Sequence, residues 1–133
     1  MKKLLVITAL LEAVTGVALM VAPAPLVFLL VGAALDTTGG LVIARVAGAA
    51  LLALGLGCWL ARNDARSQAA RGLVGALLLY NVAAVAVLVY SGLGLKLSAI
   101  GLWPTVLLHL TLAVWCIACL RPIKSPSGER TQA

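Results

Sequence analysis

The sequence predicts an all-α, integral membrane four-helix bundle with a short extra interfacial or re-entrant helix after helix one. Three observations carry this. First, 63% of the 133 residues are hydrophobic and 11% are charged, with a mean hydropathy of +1.14; a soluble domain needs a polar skin that this composition cannot supply. Second, four apolar runs, at residues 4–22, 41–61, 72–90 and 99–120, have the length of roughly 20 residues that crosses about 30 Å of hydrocarbon as a helix. Third, backbone polar groups find no water partner in lipid, so such runs must close their own hydrogen bonds as α-helices. The net charge of +6 does not point to nucleic acid. The basic residues stand at the ends of apolar runs, with no patch interleaved with aromatics.

The first span, residues 4–22, is interrupted by Glu12. Its basic start and the A-P-A that follows also fit a cleaved signal peptide, but Glu12 inside the apolar region and Pro25 just past the candidate cut favour a retained helix. A single helix over residues 4–35 would be about 48 Å long, more than a membrane holds. Pro23 and Pro25 therefore end or kink it, with Pro25 suited to the first position of a new helix. The expectation is a short helix at 26–35 in the outer interface or dipping back. Asp36 and the Gly39-Gly40 pair then turn the chain into the second span.

The second span, residues 41–61, carries Arg45 about 6 Å below its outer end, within snorkelling reach of headgroups or of Asp36. Turned inward, Arg45 would be an anion contact. Ala49, Ala53 and Gly57 repeat every four positions, and Gly72 and Ala76 do the same on the third span. Small-xxx-small spacing of this kind predicts close helix packing in lipid. "RNDARSQAAR" is a short polar link. The third span, 72–90, holds Tyr80 and Asn81, about 100° apart on the helix, so one of the two aims squarely inward. "SGLGLKLSA" links to the fourth span, 99–120. There "LWPTVLLHLTLAVW" sets His109, the single histidine of the chain, in an apolar stretch, with Thr105 one turn before it. "CIAC", residues 116–119, is a C-x-x-C inside a helix near a reducing face, with Cys58 at similar depth; small apolar packing is the expected role, and redox or metal chemistry the alternative. "RPIKSPSGERTQA" breaks the helix at Pro122 and is expected to leave residues 122–133 as a disordered tail.

Orientation follows from the basic residues. Lys2, Lys3, Arg62, Arg66, Arg71, Arg121, Lys124 and Arg130 fall on one side, against Lys96 on the other. The positive-inside rule assigns both termini and the 62–71 link to the cytoplasm.

With that topology, Glu12, Asn81 and His109 lie about 12, 13 and 15 Å from the membrane faces where their helices begin. Three polar side chains from three helices thus reach one layer near the bilayer centre. An isolated charge there costs roughly 3 kcal/mol, so Glu12 is expected to face protein, with His109 as its natural partner, directly or through Asn81, Thr105 or a water. Two readings of the layer stay open: a functional site, or polar glue contributing about 0.6–2 kcal/mol to helix association.

"ALLEAVTGVALM", residues 9–20, resembles the first helix of the small multidrug resistance transporters, four-helix proteins whose helix-one glutamate exchanges protons for cationic substrate. That resemblance gives Glu12 the proton-exchanging role. The eight-to-one basic bias differs from a dual-topology dimer, which needs little asymmetry. Through "ARVAGAALLALGLGCWLAR", "LLLYN" and "LWPTVLLHLTLAVW" most of the chain looks like small bacterial four-span proteins of the DoxX-like type. This resemblance implies the bacterial cytoplasmic membrane and association with membrane redox partners. No cofactor, metal or nucleic acid is expected. The expected function is a non-enzymatic accessory subunit or a binder of a small apolar, lipid-like molecule at the polar layer, with a membrane protein or a second copy as partner. A Glu12-dependent proton-coupled transporter and a partner of a membrane oxidoreductase are the alternatives.

Overall fold

A computed structural model describes residues 1–65 and 67–121; Arg66 and the tail expected at 122–133 lie outside them. Five helices follow one another: α1 (Lys2–Val21), α2 (Pro23–Val31), α3 (Thr38–Ala61), α4 (Gln68–Leu93) and α5 (Leu102–Leu120), with no strand among the described residues. All but α2 are long and apolar enough to cross a membrane. The outward faces are apolar: Val14 is 70% exposed, Ile43 71% and Leu79 73%. Water would oppose such a surface, and a hydrocarbon solvent accepts it.

The spans start where local chemistry satisfies their first N–H groups. Thr37 caps α3, its hydroxyl accepting from the Gly40 N–H at 3.1 Å. Ser67 caps α4, accepting from the Ala70 N–H at 3.1 Å. That cap carries α4 a turn further back than the apolar run at 72–90. In α5 the reverse holds: the helix begins at Leu102 rather than at residue 99. Pro104 in its first turn lacks an N–H, which is harmless there and disruptive further in.

The short helix is placed differently from the expected 26–35. It starts at Pro23, directly after α1, and ends at Gly32, whose φ of 73° closes it in the left-handed conformation. Gly32 also runs close to the Ser98 carbonyl, where a Cβ would collide. The Gly101 N–H donates to the Leu29 carbonyl at 3.1 Å. These contacts pin α2 to the α4–α5 link. Because α2 also touches α1, α3 and α4, it lies across one end of the bundle.

The four long helices form two tight antiparallel pairs, α1 with α3 and α4 with α5, with sparser contact between the pairs. The α1/α3 seam runs through Gly16 and Gly48, then Gly55 beside Ala9, Glu12 and Ala13. The expected seam at Ala49, Ala53 and Gly57 is corrected by this. Ala49 and Ala53 are exposed, and a Cβ on Gly57 or Gly72 would meet nothing within 4 Å. Small residues recur on two faces of α3, and partner shape selects the face with Gly48 and Gly55. At the end away from α2 the pairs meet in a core of Leu4, Leu5, Ala9, Cys58, Val74, Leu77, Leu112 and Cys116. There Arg62 stacks on the Trp59 ring at 3.7 Å and donates to the Trp59 carbonyl.

Candidate functional site in the polar layer

The layer sits one helical turn above that core. Glu12 follows Ala9 by three residues, Asn81 follows Leu77 by four, and His109 precedes Leu112 by three, so all three rise from the same apolar platform. On α4 the buried stripe is Ala70, Val74, Leu77 and Asn81. Beyond Asn81 no α4 residue is fully buried. On α4 the polar layer therefore marks where the buried stripe ends, while Gly16, Gly48, Leu102 and Val106 stay buried on the α2 side.

Asn81 is 1% exposed. Its Nδ2 donates to the Leu77 carbonyl at 2.7 Å, and its Oδ1 lies 2.8 Å from His109 Nδ1. The two bonds define the chemistry. A backbone carbonyl can only accept, so the NH₂ arm must face Leu77 and the oxygen must face the imidazole. His109 Nδ1 then carries the proton and donates. In the neutral ring this leaves Nε2 as an acceptor. Tyr80, half-buried, packs its ring edge-on to the imidazole, with centroids 5.6 Å apart at 81°. Thr105 is half-buried one turn away, and its hydroxyl takes no part in this group.

Glu12 stands on the other helix pair. It is 5% exposed, with its Cβ beside Gly55; a Cβ on that glycine would sit 3.3 Å from it and 3.0 Å from the Ala9 carbonyl. Among the described residues its carboxyl makes no hydrogen bond or ion pair, to His109 or to any other group. No side-chain polar atom is both sealed and unpaired, so the carboxylate oxygens keep accessible surface. The structure thus brings His109, Asn81 and Tyr80 together and leaves Glu12 outside their hydrogen-bonded group. Sequence reading missed Gly55, which admits α3 against the glutamate, and the Leu77 carbonyl, which orients Asn81. The first had a signal in the seven-residue spacing of Gly48 and Gly55. The second had none, since backbone acceptors are not encoded in side-chain identity.

Arg45 and Asp36 lie elsewhere. Both are exposed. Arg45 Nε donates to the Met20 carbonyl at 3.3 Å, satisfying one of the last carbonyls of α1, and no ion pair joins it to Asp36. Cys58 and Cys116 are fully buried in the core and Cys119 is partly so; all three are free thiols. No cluster of His, Cys, Asp and Glu among the described residues could hold a metal ion.

Fold and site define a class: a small multi-pass helical membrane protein with a polar layer inside its bundle. No known protein family, curated protein or solved structure matches the chain.

Proposed function

We propose that the protein binds a small, largely apolar molecule bearing a hydroxyl or ammonium group, held at mid-membrane by the Glu12 carboxyl and His109 Nε2. One observation carries this reading: the hydrogen-bonding capacity of the layer is unevenly spent. Asn81 uses both arms of its amide inside the protein, while the still accessible carboxyl of Glu12 and an imidazole nitrogen, on different helix pairs, have no partner among the described residues. Both can accept a hydrogen bond, so a donating ligand fits them. A carboxyl held at mid-membrane depth with no partner from the protein is costly, which favours a bound donor over polar glue. The apolar core below and the lipid-like surroundings suit an apolar body. This is a binding or accessory role rather than catalysis, in a bacterial cytoplasmic membrane with both termini inside, and a membrane oxidoreductase or a second copy fits as the wider partner.

The test is mass spectrometry of solvent extracts from protein purified in mild detergent. A small molecule at near-stoichiometric amount in the unmodified protein, depleted in Glu12→Gln at equal protein level, supports the reading. Extracts with no such species, or one indifferent to Glu12→Gln, overturn it. The unpaired Glu12 carboxyl also favours a second reading, proton-coupled transport, in line with the resemblance of residues 9–20 to the small multidrug resistance transporters. Glu12-dependent proton flux in proteoliposomes would select it.

A further inference from the structure

The end of the bundle away from α2 carries a cavity that the polar layer does not use. It measures about 710 Å³ and is lined by Lys2, Arg71 and Arg121 together with Ala65, Ala118 and Cys119. Ligand pockets span about 300–1,000 Å³, so the size is suited to a small group. The three cations come from three helices: the first residue of α1, the first turn of α4 and the C-cap of α5. Residues far apart in the chain are thus gathered around one space.

The cations are also oriented. Arg71 Nη2 donates to the Leu120 carbonyl at 3.1 Å, which fixes the guanidinium at the cavity wall, and among the described residues its other N–H groups are unspent. The first turn of α1 has no side-chain cap, so its N–H groups and the positive end of its dipole add to the field. Asp64, the acid in the α3–α4 link, does not line the cavity. Among the described residues every charged side chain lining the cavity is basic; the carbonyl end of α5 opposes them, and Arg71 takes its Leu120 carbonyl. It lies where the spans end, at the depth of lipid headgroups, and its inner wall of Ala118 and Cys119 is apolar.

We infer that this cavity binds the phosphate of a net-anionic ligand, as a monoester or diester whose charge no cation of its own neutralises. Arginine donors converging with a lysine match the oxygens of such an anion. Two sources share this chemistry: the headgroup of an anionic phospholipid and a soluble phosphate compound. The assignment does not depend on the ligand proposed for the mid-membrane layer.

The test uses the full chain, delipidated in neutral detergent, with bound lipid counted by native mass spectrometry. The probes are phosphatidylglycerol and phosphatidylcholine, with inorganic phosphate as competitor. The expected result is retention of phosphatidylglycerol over phosphatidylcholine, weakened about fivefold by Arg121→Gln and about thirtyfold by Arg71→Gln with Arg121→Gln. Lys3→Gln, which removes a charge at the same end without touching the cavity, leaves binding unchanged. Arg121→Gln alone breaks no bond between helices, so it reads the site even where the double variant fails to fold. Displacement by millimolar phosphate would identify the soluble source, and resistance to it the lipid. Equal binding of both lipids would overturn the inference by showing no preference for an anionic headgroup, and an equal loss from Lys3→Gln and Arg121→Gln would overturn it in favour of diffuse surface charge.

Discussion

Replacing Gly48 by alanine tests the α1/α3 seam that carries Glu12. A Cβ at Gly48 would stand 2.7 Å from the Gly16 carbonyl oxygen, 2.9 Å from Leu19 Cβ and 3.0 Å from Met20 Cγ. The methionine can swing aside, but the carbonyl is backbone and cannot. Ordinary contact begins at 3.4 Å, so α1 and α3 must part by about 0.7 Å, the shortfall of the closest contact. Overpacking of this kind costs about 1–3 kcal/mol. Alanine's better helix propensity returns up to about 1 kcal/mol. The expected net loss is therefore about 1 kcal/mol, rising toward about 3 kcal/mol for Gly48→Val. Gly57→Ala is the matched control on the same helix. Its Cβ meets nothing within 4 Å, so the sign reverses and the variant is neutral or up to about 1 kcal/mol more stable. A Cβ on Gly16 would in turn sit 2.7 Å from the Gly48 carbonyl. Once the helices have parted for one alanine, the second costs less, so Gly16→Ala with Gly48→Ala should be less destabilising than the two added. The assay is reversible unfolding from neutral micelles by SDS, followed by circular dichroism. Equal stability of Gly48→Ala and Gly57→Ala, or strict additivity of the pair, would refute the seam.

Two further outcomes are expected. Asn81→Leu removes the acceptor of His109 Nδ1 and should cost about 0.6–2 kcal/mol while shifting the ring-nitrogen NMR signals; unchanged signals would mean that the two side chains are not bonded. Reporter fusions at Asp64 and Lys96 should report opposite sides of the membrane, with Asp64 cytoplasmic, because the basic residues crowd its side; cytoplasmic activity at both positions would contradict that topology.

The four spans were legible because hydrophobic length in lipid leaves the backbone no alternative to a helix. Their ends were less so. Thr37 and Ser67 act as caps by geometry that apolar runs do not display, and the first-turn role of Pro104 moves the start of α5 inward. Gly32 was the readable stop of the short helix, but its αL role depends on the α4–α5 link folding back over it. The seam was misread for a related reason: α3 has small residues on two faces, and selecting between them takes the shape of α1. The common depth of Glu12, Asn81 and His109 could be counted from the helix starts. Which of them bond could not, because a hydrogen bond depends on helix rotation as well as on depth. The cations at Lys2, Arg71 and Arg121 were visible as a charge bias, and their gathering around one cavity depends on the pairing of α4 with α5.

The way the pairs are joined bears on how the polar layer works. In lipid no hydrophobic force draws helices together, so packing and polar contacts decide which surfaces are firm. The α1/α3 pair is held by glycines in backbone contact. The α4/α5 pair is held by the Asn81–His109 bond and by Arg71 on the Leu120 carbonyl. Between the pairs, the buried core lies at one end, around Leu5, Cys58, Val74 and Cys116, and α2 bridges the other. Glu12 belongs to the first pair and His109 to the second, and both stand at the upper edge of that core. Any rocking of one pair against the other about the core alters their separation while leaving each pair intact. A donor spanning the two acceptors would oppose that motion, and its loss would release it. On the proposed binding role, a ligand bridging the polar layer would therefore act on the contact between the two halves of the bundle.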